Sequence, residues 1–199
     1  MGELWLDHPR GPWILTASGR RFHPVDPRAD EVEITDIAHA LANTCRFGGH
    51  TAHHYSVAQH SVLTSHIVEP WLALVALMHD AAEAYVGDMV SPLKLSGQLG
   101  EYSAIEHRVW RAIVKRYDLT GFGVDAPAMA MPDEVVAADM IALVTEARDL
   151  MGVADPTTAP GWPSHFEPLP DVIKPMTPDE ARTEFIDRFV VLTGEPTVG

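Results

Sequence analysis

The chain has 199 residues, 46% of them hydrophobic and 21% charged, the composition of one ordinary globular domain with a core of its own. Its 14 basic residues face 28 acidic ones, a formal net charge of -14 at pH 7, which argues against any partner that is a nucleic-acid polymer. The longest apolar run, Trp71 to Met78, falls far short of the roughly 20 residues that cross a bilayer. Met1 to Pro9 lacks the basic start and apolar stretch of a secretory leader, and the one cysteine, Cys45, has no internal partner. A cytoplasmic protein with no membrane partner is therefore expected.

Short β-prone runs at Trp13–Thr16 and Arg21–Pro24 flank Gly19 and predict a small peripheral hairpin. Periodic helical segments follow. Thr35 is a suitable cap for a helix whose Ile37, Ala38, Leu41 and Ala42 share one stripe. Ser56 with Gln59 three residues later reads as a capping box, opening a helix over about Val57–Val68 with His60 in its first turn. Pro70 suits the start of the next helix, Trp71–Tyr85, which is apolar nearly all round and should be central. Gly87, Ser91-Pro92 and Gly97 mark a loop.

A helix over Tyr102–Tyr117 carries Arg108, Arg111, Lys115 and Arg116, a stripe expected to pair with the abundant acids. Pro132-Asp133-Glu134 opens another helix running to about Leu150. Seven prolines between Asp155 and Pro178 exclude any regular element over 155–178, which reads as an ordered loop or lid. Thr177 to Glu180 is a second capping box, and Ala181, Phe185 and Phe189 supply the buried face of a last helix to about residue 192. The expected fold is all-α: a single domain over 1–199, a helical bundle with its core at about 35–150 and a small N-terminal β-hairpin.

The segment His79-Asp80-Ala81-Ala82-Glu83 is the informative one. In a helix Glu83 lies within reach of both His79 and Asp80. Asp80 interrupts one apolar helix and Asp139 another, and an ionised carboxylate in a core needs a counter-charge. Imidazole and carboxylate together suit a divalent transition metal, and His60, His79, Asp80 and Asp139 would make such a site. Spacing alone does not single these four out from the other histidines and acids.

The H…HD…D order of His60, His79-Asp80 and Asp139 resembles that of the HD-domain metal-dependent phosphohydrolases. Cys45-Arg46-Phe47, Gln59-His60-Ser61, Gly87-Asp88 and Ser91-Pro92-Leu93-Lys94 extend the match over roughly 35–150. The order is similar to the bacterial 5'-deoxynucleotidase branch and related phage-type nucleotide phosphohydrolases. The resemblance implies a helical HD-domain bundle with one divalent metal (Mn, Co, Fe, Ni or Zn) on His60, His79, Asp80 and Asp139. It implies Glu83 and Asp88 as the catalytic acidic pair, with their roles as base and acid interchangeable at this point, and Arg46, Phe47 and Lys94 at the substrate.

The activity so implied is metal-assisted hydrolysis of a nucleotide, by a 5'-nucleotidase or by an enzyme cleaving di- and triphosphates, in a cytoplasmic homo-oligomer. Two departures from the branch stand out: Phe47 where it has tryptophan, and Gln59 where it has glutamate before the first histidine. A non-catalytic nucleotide-binding regulator and a dinuclear oxygenase using His50, His53 or His54 are the other readings. His107 reads as part of a solvated face, and Trp162 and His165 either close over a base or pack their own loop.

Overall fold

The computed structural model describes residues 9–124 and 130–195; the segment read above as lacking a leader lies, over 1–8, outside the described residues. The fold is all-α with a two-stranded antiparallel hairpin. Strands β1 (Ile14–Leu15) and β2 (Arg21–Phe22) pair Ile14 with Phe22 and Leu15 with Arg21. The hairpin is shorter than its sequence suggests and less peripheral. Asp36 accepts bonds from the Ser18 amide and hydroxyl at 2.7 and 2.8 Å, and the buried Phe22 ring stacks on Tyr85 with centroids 3.8 Å apart.

Helix α1 (Ile34–Asn43) starts one residue before Thr35, with Glu33 at its cap position and no side-chain cap, so Thr35 lies inside the first turn. Its stripe of Ile37, Ala38, Leu41 and Ala42 is buried as expected. Helix α2 (Val57–Ile67) is capped by Ser56, whose hydroxyl accepts from the Gln59 amide at 3.1 Å. The reciprocal half of that box is absent. The Gln59 side chain donates to the Lys174 carbonyl at 2.7 Å and accepts from the Met176 amide at 2.9 Å.

The helix expected over Trp71–Tyr85 is broken. A 3-10 turn at Pro70–Leu72 leads into α3 (Ala73–Met78), and α4 (Glu83–Val86) follows a turn over 79–82. The amides of Ala81, Glu83 and Tyr85 bond three residues back, to Met78, Asp80 and Ala82. Such tightened winding aligns residues three apart, which brings Asp80 and Glu83 to one side. Gly87, at φ 84, ends α4 in a conformation that costs a side-chain-bearing residue. The expected loop contains one helical turn, α5 (Ser91–Lys94).

Helix α6 (Gly100–Tyr117) ends at Asp118, and α7 (Asp133–Leu150) follows Pro132. Helix α8 (Pro178–Thr193) has the full capping box between Thr177 and Glu180. Helices α1, α2, α3 and α8 pack together, α7 lies against α2 and α3, and Ala181, Phe185 and Phe189 of α8 join the common core. Residues 151–177 contain neither helix nor strand. They are nonetheless tied down: the Leu169 amide donates to Thr145 Oγ1 at 2.9 Å, Arg148 to the Leu169 carbonyl at 2.6 Å, and the Ile173 amide to Asp149 at 2.8 Å. Among the described residues no helix is long and apolar enough to cross a membrane.

Candidate metal centre

Three elements deliver the donors. The first turn of α2 presents His60, the turn after α3 presents His79 and Asp80, and the middle of α7 presents Asp139. Donor atoms of His60, His79 and Asp139 lie within 4.8 Å of one another, a group that could hold a metal ion. His60 Nε2 is 3.2 Å from His79 Nε2 and 3.1 Å from Asp139 Oδ1, and His79 Nε2 is 4.0 Å from that oxygen. Asp80 Oδ2 adds a fourth donor, 3.3 Å from His79 Nε2 and 3.7 Å from His60 Nε2. Donors bonded to one first-row ion at about 2.0–2.2 Å sit between about 2.8 Å apart, on an octahedral edge, and about 3.6 Å apart, on a tetrahedral one, so the three shortest spacings fit.

The chemistry of the donor set points the same way. His79 Nδ1 lies 2.7 Å from the Ala76 carbonyl, which can only accept, so that nitrogen carries the proton. His60 Nδ1 lies 2.6 Å from Glu146 Oε1 and donates to it. Each neutral ring then turns the lone pair of Nε2 toward the other and toward two carboxylates. With both rings neutral four acceptors converge, a conflict that either a proton on His60 Nε2 shared with Asp139 or a bound cation resolves.

Protonation responds to the same field. Burial and Arg46 both oppose charging of His60, but Glu146 and Asp139 outweigh them and raise it to about 9. His79, also penalised by burial, is raised by Asp80 and Asp139. Burial works against ionised Asp80 and Asp139, yet the imidazoles hold Asp80 well below and Asp139 below the usual carboxylate range. Neither acid is sealed in a greasy interior, as their apolar sequence surroundings suggest; their side chains are 21% and 29% exposed. The fully buried members are His60 and Glu146.

Glu146 escapes a reading of the sequence. Its two oxygens divide the work: Oε1 takes the His60 proton and Oε2 accepts Arg46 Nε and Nη2 at 3.1 and 3.0 Å. Arg46, expected at substrate phosphate, is thus committed to Glu146, with Nη1 3.5 Å from Asp80. One signal was available. Glu146 stands seven residues after Asp139, two turns along the same face of α7.

Glu83 lies beside the donors, 5% exposed. Lys94 Nζ donates to its Oε1 at 2.8 Å and to Glu106 Oε1 at 2.9 Å, so Lys94 also enters the site already paired. Glu83 Oε2 is buried with no hydrogen-bond partner among the described residues. Burial first, then Asp80 and Asp88, raise Glu83 to about 9 against the opposing pull of Lys94. Asp88 is raised by burial and Asp80, with Arg46 opposing. A cavity of about 330 Å3 opens here, lined by His79, Asp80, Glu83, Lys94, His107 and Trp110 among others. His107 is exposed, as its solvated-face reading has it, and also lines this cavity.

Phe47 holds a left-handed conformation at φ 54, and its ring lies 6.4 Å from that of Trp162 in the proline-rich segment. His165 instead packs on Phe166. His50 and His53 are exposed, while His54 lies 3.2 Å from the Ala42 carbonyl and 3.4 Å from Cys45 Sγ. None of the three joins the donor group found among the described residues.

No protein-family model matches the chain. Over 178 residues it is 35% identical to an uncharacterized protein of Rhodobacter capsulatus, spanning 80% of this chain and 89% of that one. Over 181 residues it is 40% identical to the uncharacterized protein YfdR of Escherichia coli K12, spanning 89% of this chain and 93% of YfdR. With likeness of that depth running nearly end to end in both, the chain belongs to the YfdR family.

Proposed function

We propose that this protein is a metal-dependent phosphohydrolase acting on nucleotides, with one divalent transition metal on His60, His79, Asp80 and Asp139. The observation that carries the reading is the convergence of these donors beside Glu83, a residue of the cavity wall with one buried oxygen that has no partner among the described residues. The ligand set suits Mn, Co, Fe, Ni or Zn. A metal there supplies Lewis-acid polarisation of a phosphoryl oxygen. The nucleotide as substrate class comes from the resemblance to the HD-domain enzymes. The cavity of about 330 Å3 lies at the small end of the roughly 300–1,000 Å3 typical of ligand sites, which favours a monophosphate over a longer phosphate chain.

Glu83, raised to about 9, takes a proton from water in its ionised form, and its Oε2 has no hydrogen-bond partner among the described residues. Asp88, which burial and Asp80 push upward against Arg46, is the group that the resemblance offers as acid for the departing oxygen. Lys94 faces the cavity and offsets negative charge there, as a point charge already shared with Glu83 and Glu106. Arg46 braces Glu146 and Asp80 and so acts on the donors rather than on phosphate. Phe47 and Trp162 supply an aromatic edge for a base or sugar.

The test is phosphate release from a nucleotide panel with Mn, Co, Mg or no added metal, with product length read alongside. Release of inorganic phosphate from monophosphates is expected; pyrophosphate or triphosphate would shift the reading to di- and triphosphate cleavage. Asp139→Asn should lose both metal and turnover, whereas Glu83→Gln should keep the metal and lose turnover. Nucleotide binding without release under any metal would make the protein a regulator and overturn the enzymatic reading.

A further inference from the structure

Helix α6 carries the feature that the candidate centre leaves unexplained. Among the described residues nine of the 14 cations are held by carboxylates or backbone carbonyls, Arg46 by Glu146, Lys94 by Glu83 and Arg28 by Asp26 at 3.9 Å among them. Arg108, Arg111 and Lys115 were expected to pair with acids too. They do not: among the described residues their exposed side chains have no ion pair, hydrogen bond or ring contact. All three line one groove of about 870 Å3 between α6 and residues 25–30, with Arg28 on the opposite wall.

The sequence of α6 makes this arrangement costly to the free protein. Arg108, Arg111 and Lys115 stand at spacings of three and four, where like charges repel. Within Gly100–Tyr117 no acid stands three or four residues from any of them, and the cap residue Asp118, three residues after Lys115, is left-handed and accepts from Thr120 instead, although the chain has 28 acids for 14 bases. From Arg108 to Lys115 the helix axis advances about 10 Å, further than one phosphate reaches. The groove also contains Asp26, Asp30 and Asp118. Asp26 is held by Arg10 at 2.7 Å and Asp118 accepts from Thr120 at 3.1 Å. Asp30 is the acid most open to influence a ligand.

We propose that this groove is a second anion site, separate from the donor cluster, for a small molecule bearing two or more linked phosphates. The groove volume lies within the small-ligand range of about 300–1,000 Å3. Guanidinium groups match phosphate oxygens with paired donors. This inference does not depend on hydrolysis at the metal centre.

The test is an amide NMR titration of the full chain with sodium tripolyphosphate, in chelator so that the donor cluster carries no ion. Saturable shifts are expected at residues 25–30 and 108–118. Arg108→Gln with Arg111→Gln should weaken the apparent Kd about tenfold or more, and Asp30→Asn should tighten it. These exposed substitutions should leave the rest of the spectrum in place. Shifts that fail to saturate, that centre elsewhere, that survive the double substitution or that sodium chloride reproduces at equal ionic strength would each overturn the site. A poly-glutamate peptide binding this face more tightly than tripolyphosphate would replace the small molecule with a protein partner and equally sink the proposal.

Discussion

His60 Nδ1 lies 2.6 Å from Glu146 Oε1, and both side chains are completely buried. That contact fixes which nitrogen of His60 keeps its proton and turns the other toward the remaining donors. A partner of this kind around a metal ligand is worth about 10–100-fold in metal affinity. Glu146→Gln should therefore weaken Mn or Zn binding by about that factor, read by calorimetry, with the helical circular dichroism retained. Unchanged affinity would show that Glu146 only neutralises Arg46.

Metal uptake should depend on pH in a definite direction. His60 is raised to about 9 by Glu146 and Asp139 despite burial. Below that value its Nε2 is protonated in the metal-free protein, and a metal has to displace the proton. Apparent affinity should rise steadily from pH 6 toward pH 9, with proton release measurable by calorimetry in buffers of different ionisation enthalpy. A flat profile would count against His60 as a ligand.

Lys94 opposes protonation of Glu83. Its ammonium lies 2.8 Å from Oε1 and opposes the upward push of burial and Asp80. Lys94→Met removes that opposition, so Glu83 holds its proton to higher pH. If Glu83 takes the proton from water, the rising limb of the pH–rate profile should move to more alkaline pH. A loss of rate equal at every pH would assign Lys94 to substrate binding alone.

Gln59 ties the region before α8 to the start of α2 through two hydrogen bonds. Gln59→Ala strands the Lys174 carbonyl and the Met176 amide, at a cost of about 1–3 kcal/mol for each group left buried without a partner, and less where water reaches it. Chemical denaturation should show the loss, and hydrogen exchange should quicken at the Met176 amide first.

Much of this fold is legible in the sequence because local chemistry decides it. Ser56, Thr177 and Pro132 mark helix starts whatever the tertiary context, and the apolar stripe of α1 has one way to face. The break after Met78 is not legible. Residues 79–85 have the composition of a helix, and tightening from four-residue to three-residue bonding leaves no compositional mark. The four donors were accessible through a pattern of types. The commitments of Arg46 and Lys94 were not, because they depend on Glu146, 100 residues from Arg46, and on Glu106 across a loop.

The Gln59 clasp spans 115 and 117 positions of the chain and sits next to His60. On a ribosome, α2, α3 and even α7 emerge before the segment that clasp requires. The brace on the neighbour of His60 therefore forms only after residues 174–176 have left the tunnel, later than the helices that carry the donors.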